Sequence, residues 1–113
     1  MQQSDWQAMA AGLEIEGRAF IAGEYRAAAS GASFSTINPA TRQVLAEIAC
    51  CGAADVNAAV AAARSAFNAG SWAELAPVEK KRILLRFAAL IREHADELAL
   101  LETLDTGKPI SDA

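Results

Sequence analysis

Residues 98–109 read LALLETLDTGKP, and this stretch settles where the last long element of the chain stops. Leu98, Leu101 and Leu104 recur at helical spacing, while Gly107 and Pro109 stand just past the last apolar turn, where neither continues a helix. The spacing predicts a helix that ends at about Thr106. Residues 110–113 are too few to build a further element, so the chain reads as cut rather than finished.

Working back towards the N-terminus, Pro77 suits the first turn of an earlier helix with Ile83, Leu84, Phe87, Leu90 and Ile91 on its apolar side. Its other side carries Lys80, Lys81, Arg82, Arg86 and Arg92. A break is expected between Glu93 and Ala95, where the charge changes sign and Asp96 and Glu97 suit a new first turn; His94 then sits at a helix end. Before this pair, Val56, Val60, Ala63 and Phe67 form a helical stripe from Asp55 onward. Ala59 and Ala66 flank it, Arg64 and Asn68 face outward, and Gly70 ends it. Trp72 lies in the connector. Together these two or three helices occupy residues 54–106.

Residues 19–51 change period. Phe20-Ile21 and Glu24-Tyr25 flank Ala22-Gly23, which predicts a short hairpin with a type II turn, since alanine resists the positive φ that type I′ demands. Residues 33–37 read as a strand, Asn38-Pro39-Ala40-Thr41 as a turn and residues 43–51 as the returning strand. Strict alternation on that strand would put Val44, Ala46, Ile48 and Cys50 on one face. The motif is an antiparallel ribbon. Residues 1–18 form an N-terminal helical segment, with Ser4 or Asp5 as cap and Trp6, Met9, Ala10 and Leu13 on one face of a helix reaching about Glu14.

Composition narrows the functional classes. Of the 113 residues, 28 are alanine, so a 53% hydrophobic content makes a thinner core than the figure suggests. A net charge of −4 argues against a nucleic-acid surface over the whole chain, no apolar run approaches a membrane span, and no signal-peptide pattern opens the sequence. The expected setting is cytoplasmic, with no nucleic acid and no membrane as partners. Cys50 and Cys51 are adjacent, which fits neither a zinc motif nor a CxxC redox pair. No nucleophile-base pair, phosphate-cradling glycine loop or metal-ligand cluster emerges from the residues, so no catalytic and no cofactor-binding residue is assigned. A competing reading is a free-standing binding module that uses the basic helix from Lys80 to Arg92; a solvated helix face is the stronger expectation.

Four separated motifs, FIAGEY (20–25), TINPATRQVLAEI (36–48), DVNAAVAAARSAFNAGSW (55–72) and ELALLETLDTGKP (97–109), resemble in order and spacing the N-terminal part of the aldehyde dehydrogenase superfamily. Within it, DWQAMAAGL (5–13), FIAGEY and HADELALLETLDTGKPI (94–110) are most similar to the branch acting on γ-glutamyl-γ-aminobutyraldehyde in putrescine breakdown. The resemblance implies an α/β parent fold with a Rossmann-like coenzyme domain, of which residues 1–113 are a truncated N-terminal portion. It also implies an enzyme, in all expectation a homo-oligomer, that oxidises an aldehyde to the carboxylic acid with NAD or NADP. A cysteine thiolate attacks the carbonyl and a glutamate activates the hydrolytic water. Those groups belong to family segments beyond Ala113, and neither Cys50 nor Cys51 matches the nucleophile motif. The portion alone is therefore expected to be inactive. One inherited site touches this chain: a monovalent cation held by the Thr36 and Ile37 carbonyls and the Asp105 carboxylate. Read without the resemblance, Asp105 simply caps its own turn.

Overall fold

The computed structural model describes residues 2–113. In chain order the elements are α1 (Gln3–Ala11), β1 (Ala19–Ile21), β2 (Glu24–Arg26), β3 (Ser33–Ile37), β4 (Val44–Ala49), α2 (Ala53–Asn68), α3 (Pro77–Glu93) and α4 (Ala95–Thr106), closed by a 3-10 turn at Ile110–Asp112. The ribbon is two separate two-stranded sheets, β1 with β2 and β3 with β4. The chain folds as two compact units, residues 1–17, 34–48 and 95–113 in one and residues 18–33 and 49–94 in the other. Among the described residues no helix is long and apolar enough to cross a membrane.

In the first unit, Gln2 rather than Ser4 or Asp5 caps α1, because Asp5 one turn in accepts the Gln2 N–H at 2.7 Å. The helix stops at Ala11, short of Glu14, yet Trp6, Met9, Ala10 and Leu13 are all half-buried, as their spacing predicts. Asn38 donates to the Gln43 carbonyl across the turn at 2.9 Å, and farther along the Ser35 hydroxyl donates to the Glu47 carboxylate. Strict alternation does not hold along β4: Leu45 and Ala46 are both half-buried, and Leu45 and Ile48 line the same groove, while Val44 is exposed. Gly17 lets the chain pass β4 closely, for a Cβ there would sit 1.9 Å from the Glu47 carbonyl oxygen. Leu100 on α4 is the most buried apolar residue, 3% exposed.

In the second unit, β1 pairs antiparallel with β2 and the Phe20 and Tyr25 rings face each other across the strands at 5.1 Å. The hairpin turn departs from type II: Ala22 at φ 55° and Gly23 at φ 82° are both left-handed, as type I′ requires. The twist of the paired strands overrides the local reluctance of alanine. Pro77 occupies the first turn of α3, which ends at Glu93 with His94 as its cap, so the expected break before α4 is present. The apolar stripes are uncovered. Val56, Val60 and Phe67 on α2 and Ile83, Leu84 and Phe87 on α3 are all 46% exposed or more.

Asp55 holds this unit at the start of α2. It is 5% exposed, with Oδ2 accepting the Gly52 N–H and Oδ1 the Ala29 N–H, both at 2.9 Å. The Gly52 bond and then the Ala29 bond draw its pKa below the ordinary 3.8; burial opposes the shift, and its own amide and Arg26 add to the lowering. A folded-state pKa below the unfolded one stabilises the fold fully above the unfolded value, and that stabilisation is lost as pH falls through the folded value. Asp55→Asn keeps one acceptor and loses the other. Urea unfolding as a function of pH is expected to show the variant less stable than the parent at pH 7, with the gap closing as pH drops below 3.8; a gap independent of pH contradicts the clamp.

Candidate functional site

The first unit brings the end of β3 to the end of α4. Thr36 Oγ1 donates to Asp105 Oδ1 at 2.7 Å across a separation of 69 residues. Helix α4 terminates through its own groups: the Gly107 N–H reaches the Thr103 carbonyl at 3.0 Å, with Gly107 at φ 78°, a conformation glycine adopts without a Cβ penalty. Thr106 Oγ1 donates to the Glu102 carbonyl at 2.7 Å, and Lys108 Nζ pairs with Glu102 Oε1 at 3.1 Å. The same glycine meets the turn after β3, where an added Cβ would stand 3.0 Å from Pro39 Cγ. Pro39 and Gly107 thus meet closely beside the Thr36–Asp105 bond.

Of the residues singled out from the sequence, Thr36 and Asp105 are in direct contact through their side chains. Ile37 is the next residue on β3 and is 44% exposed. Asp105 therefore serves the ribbon, while Thr106 satisfies the turn that Asp105 would otherwise cap: its hydroxyl also accepts the Lys108 N–H at 3.3 Å. Around the pair runs an open groove of about 730 Å³, floored by Phe34, Leu45, Ile48 and Leu101 and edged by Glu14, Glu16, Glu97, Glu102 and Asp105. Sequence reasoning missed this acidic edge. The signal was present, since Glu97, Leu101 and Asp105 follow one another at four-residue spacing along one helix face.

The side-chain donors here are oxygens, a set that suits a hard cation. Among the described residues no group of three or more His, Cys, Asp or Glu side chains could hold a metal ion, so any cation would need backbone carbonyls as well. Cys50 and Cys51 are exposed and free, and His94 caps α3. The basic face of α3 is in part occupied. Lys80 Nζ donates to the Ala73 carbonyl at 3.1 Å and lies 6.0 Å from the Trp72 ring centre, Arg82 pairs with Glu79 at 2.5 Å and Arg86 with Glu93 at 3.0 Å. Such pairing lowers the positive field a polyanion would meet.

The model of the aldehyde dehydrogenase family matches residues 25–113. An aminoacetaldehyde dehydrogenase of Pseudomonas aeruginosa is 48% identical over 110 residues, which cover 97% of this chain and 22% of that protein. An NADP/NAD-dependent aldehyde dehydrogenase of Escherichia coli is 50% identical over 105 residues, 93% of this chain and 21% of its own length. The crystal structure of the γ-glutamyl-γ-aminobutyraldehyde dehydrogenase from Burkholderia cenocepacia superposes with a TM-score of 0.96 at 62% identity, covering 99% of this chain and 23% of that one. The chain thus spans about a fifth of the length of these relatives.

The Thr36–Asp105 bond is open to a direct energetic test. Its donor is neutral and its acceptor ionised, but both are solvent-accessible, so a coupling of about 1 kcal/mol is expected. A double-mutant cycle of Thr36→Val and Asp105→Ala, read by urea unfolding, should return that value; additive effects within about 0.3 kcal/mol would mean the contact carries no energy.

Proposed function

This chain belongs to the aldehyde dehydrogenase family, and we propose that it is the N-terminal portion of an NAD- or NADP-dependent enzyme oxidising an aminoaldehyde, of the γ-glutamyl-γ-aminobutyraldehyde kind, to its carboxylic acid. The observation that carries this reading is the 62% identity and 0.96 TM-score, over 99% of the chain, with the Burkholderia enzyme of that specificity. The nicotinamide cofactor supplies the hydride acceptor. The part of residues 1–113 in this reading is architectural: two short sheets and three long helices that pack on the coenzyme domain of a homo-oligomeric enzyme. The uncovered stripes of α2 and α3 favour that role, because a contiguous apolar face left in water is a surface made to be covered.

Thr36, Ile37 and Asp105 are the residues we assign to a monovalent cation in that enzyme. Two carbonyls and a carboxylate are all hard oxygen ligands, and Asp105 stands at the negative end of α4, where a positive ion would offset the repulsion between its charge and the exposed carbonyls. The Thr36 hydroxyl supports the fit by orienting Asp105: it occupies Oδ1 as a donor. The cation would set the distance between β3 and α4 and takes no part in the chemical steps.

The 113-residue chain is expected to form no NADH or NADPH from γ-glutamyl-γ-aminobutyraldehyde, whereas the chain extended by the segments that follow the matched region in the Burkholderia enzyme should form it. Absorbance at the reduced-nicotinamide band reads both. Turnover by the short chain, or none by the extended one with either coenzyme, would overturn the reading.

A further inference from the structure

We propose that the 113-residue chain pairs with a second copy of itself through α2, in an antiparallel two-fold contact centred on Ala63. One side of α2 is a ridge and the adjoining side a groove. Val56, Val60 and Phe67 stand out from the helix, each more than half exposed. Beside them Ala59, Ala62, Ala63 and Ala66 floor a groove of about 620 Å³ that Phe20 and Ile21 of β1 wall. Helix and hairpin belong to the same compact unit, so ridge and groove are presented together.

Spacing makes this face complementary to itself. In an antiparallel pair with the two-fold axis at Ala63, each position shares a layer with the one equally far on the other side of residue 63. Val60 of one copy then meets Ala66 of the other, and Phe67 meets Ala59. A large side chain stands against an alanine in each of these layers, the alternation that lets two helices close to about 8–10 Å between axes. Charge selects α2 over the other uncovered helix. The two charged side chains of α2 are Asp55, committed to the Gly52 and Ala29 amides, and Arg64, which lies over its own Phe67 ring at 5.6 Å. The apolar side of α3 is instead flanked by Lys80, Lys81, Arg82, Arg86 and Arg92, so two copies of α3 face to face would set like charges together. The area suffices for a reversible dimer: a helix about 24 Å long with a two-stranded hairpin beside it, about 20 Å across, offers about 500 Å² per copy, and about 1,000 Å² in all is the lower limit for a specific interface. In the longer enzyme of the proposed reading the coenzyme domain takes this face; in the 113-residue chain by itself a second copy takes it.

Sedimentation equilibrium of the 113-residue chain should show monomer and dimer alone, with a dissociation constant on the order of 10 µM, the weak end for an interface of that area. Phe67→Asp and Ala63→Glu should each weaken pairing at least about thirtyfold, the cost of a charge left inside an apolar contact. Leu84→Asp, on the apolar side of α3, should leave it unchanged. All three positions are exposed in the single chain, so these substitutions spare its fold, which far-UV circular dichroism verifies. Cross-linking gives a second readout. With Cys50 and Cys51 replaced by serine, Ala63→Cys should yield a disulfide-linked dimer under mild oxidation, and Ala61→Cys, on the far side of the helix, should not. A monomer at every concentration, pairing that survives Phe67→Asp or is lost in Leu84→Asp, or equal cross-linking from positions 61 and 63 would overturn the proposal.

Discussion

The first unit depends on closing a long loop with few groups. Thr36 and Asp105 meet across 69 residues, and bringing such distant positions together costs roughly 4 kcal/mol in chain entropy before any further constraint. One solvent-accessible hydrogen bond returns about 1 kcal/mol. The difference has to come from apolar burial, and Leu100, at 3% exposure, contributes about 2 kcal/mol on the scale for a fully buried leucine. The half-buried residues Trp6, Leu13, Leu45, Ile48 and Leu101 add smaller shares. Burial therefore brings α4 to the ribbon, and the Thr36–Asp105 bond with the Pro39–Gly107 contact sets its register.

The second unit is organised from the opposite end. Its fixed point is a carboxylate, Asp55, that gathers two backbone amides before α2 begins, whereas the long apolar side chains of α2 and α3 stay in contact with water. Only Ile21 and Ala28 are buried apolar residues there. Local hydrogen bonding shapes this unit more than a core does, an arrangement that suits elements whose main packing surface is supplied by other segments of a longer polypeptide. Under the proposed reading, that is the coenzyme-binding part of the enzyme.

Sequence signals that act over a few residues were legible. Pro77 starts α3, the charge reversal around His94 separates α3 from α4, and Gly107 stops α4 in the left-handed conformation expected of it. Features decided by partners far along the chain were not. The burial pattern of β4 depends on what packs against each of its faces, and the left-handed Ala22 depends on the twist of strands that flank it. The Asp55 clamp had half a signal, an acidic residue three places after the helix-capping Gly52, but its second partner, Ala29, lies 26 residues away. The candidate site was named through family resemblance. Turn chemistry alone assigned Asp105 to its own backbone, and the structure gives it to Thr36 instead.

The coupling of ribbon to helix through Asp105 is most directly measured by native-state hydrogen exchange at two amides, Asn38 and Gly107. Asn38 N–H is bonded within the ribbon to the Gln43 carbonyl, and Gly107 N–H within the helix end to the Thr103 carbonyl. If the two elements form one cooperative unit, both amides open with the same free energy, and Asp105→Ala lowers both together by about 1 kcal/mol. Loss of protection at Gly107 with Asn38 unchanged would contradict the account, because ribbon and helix would then be folding independently.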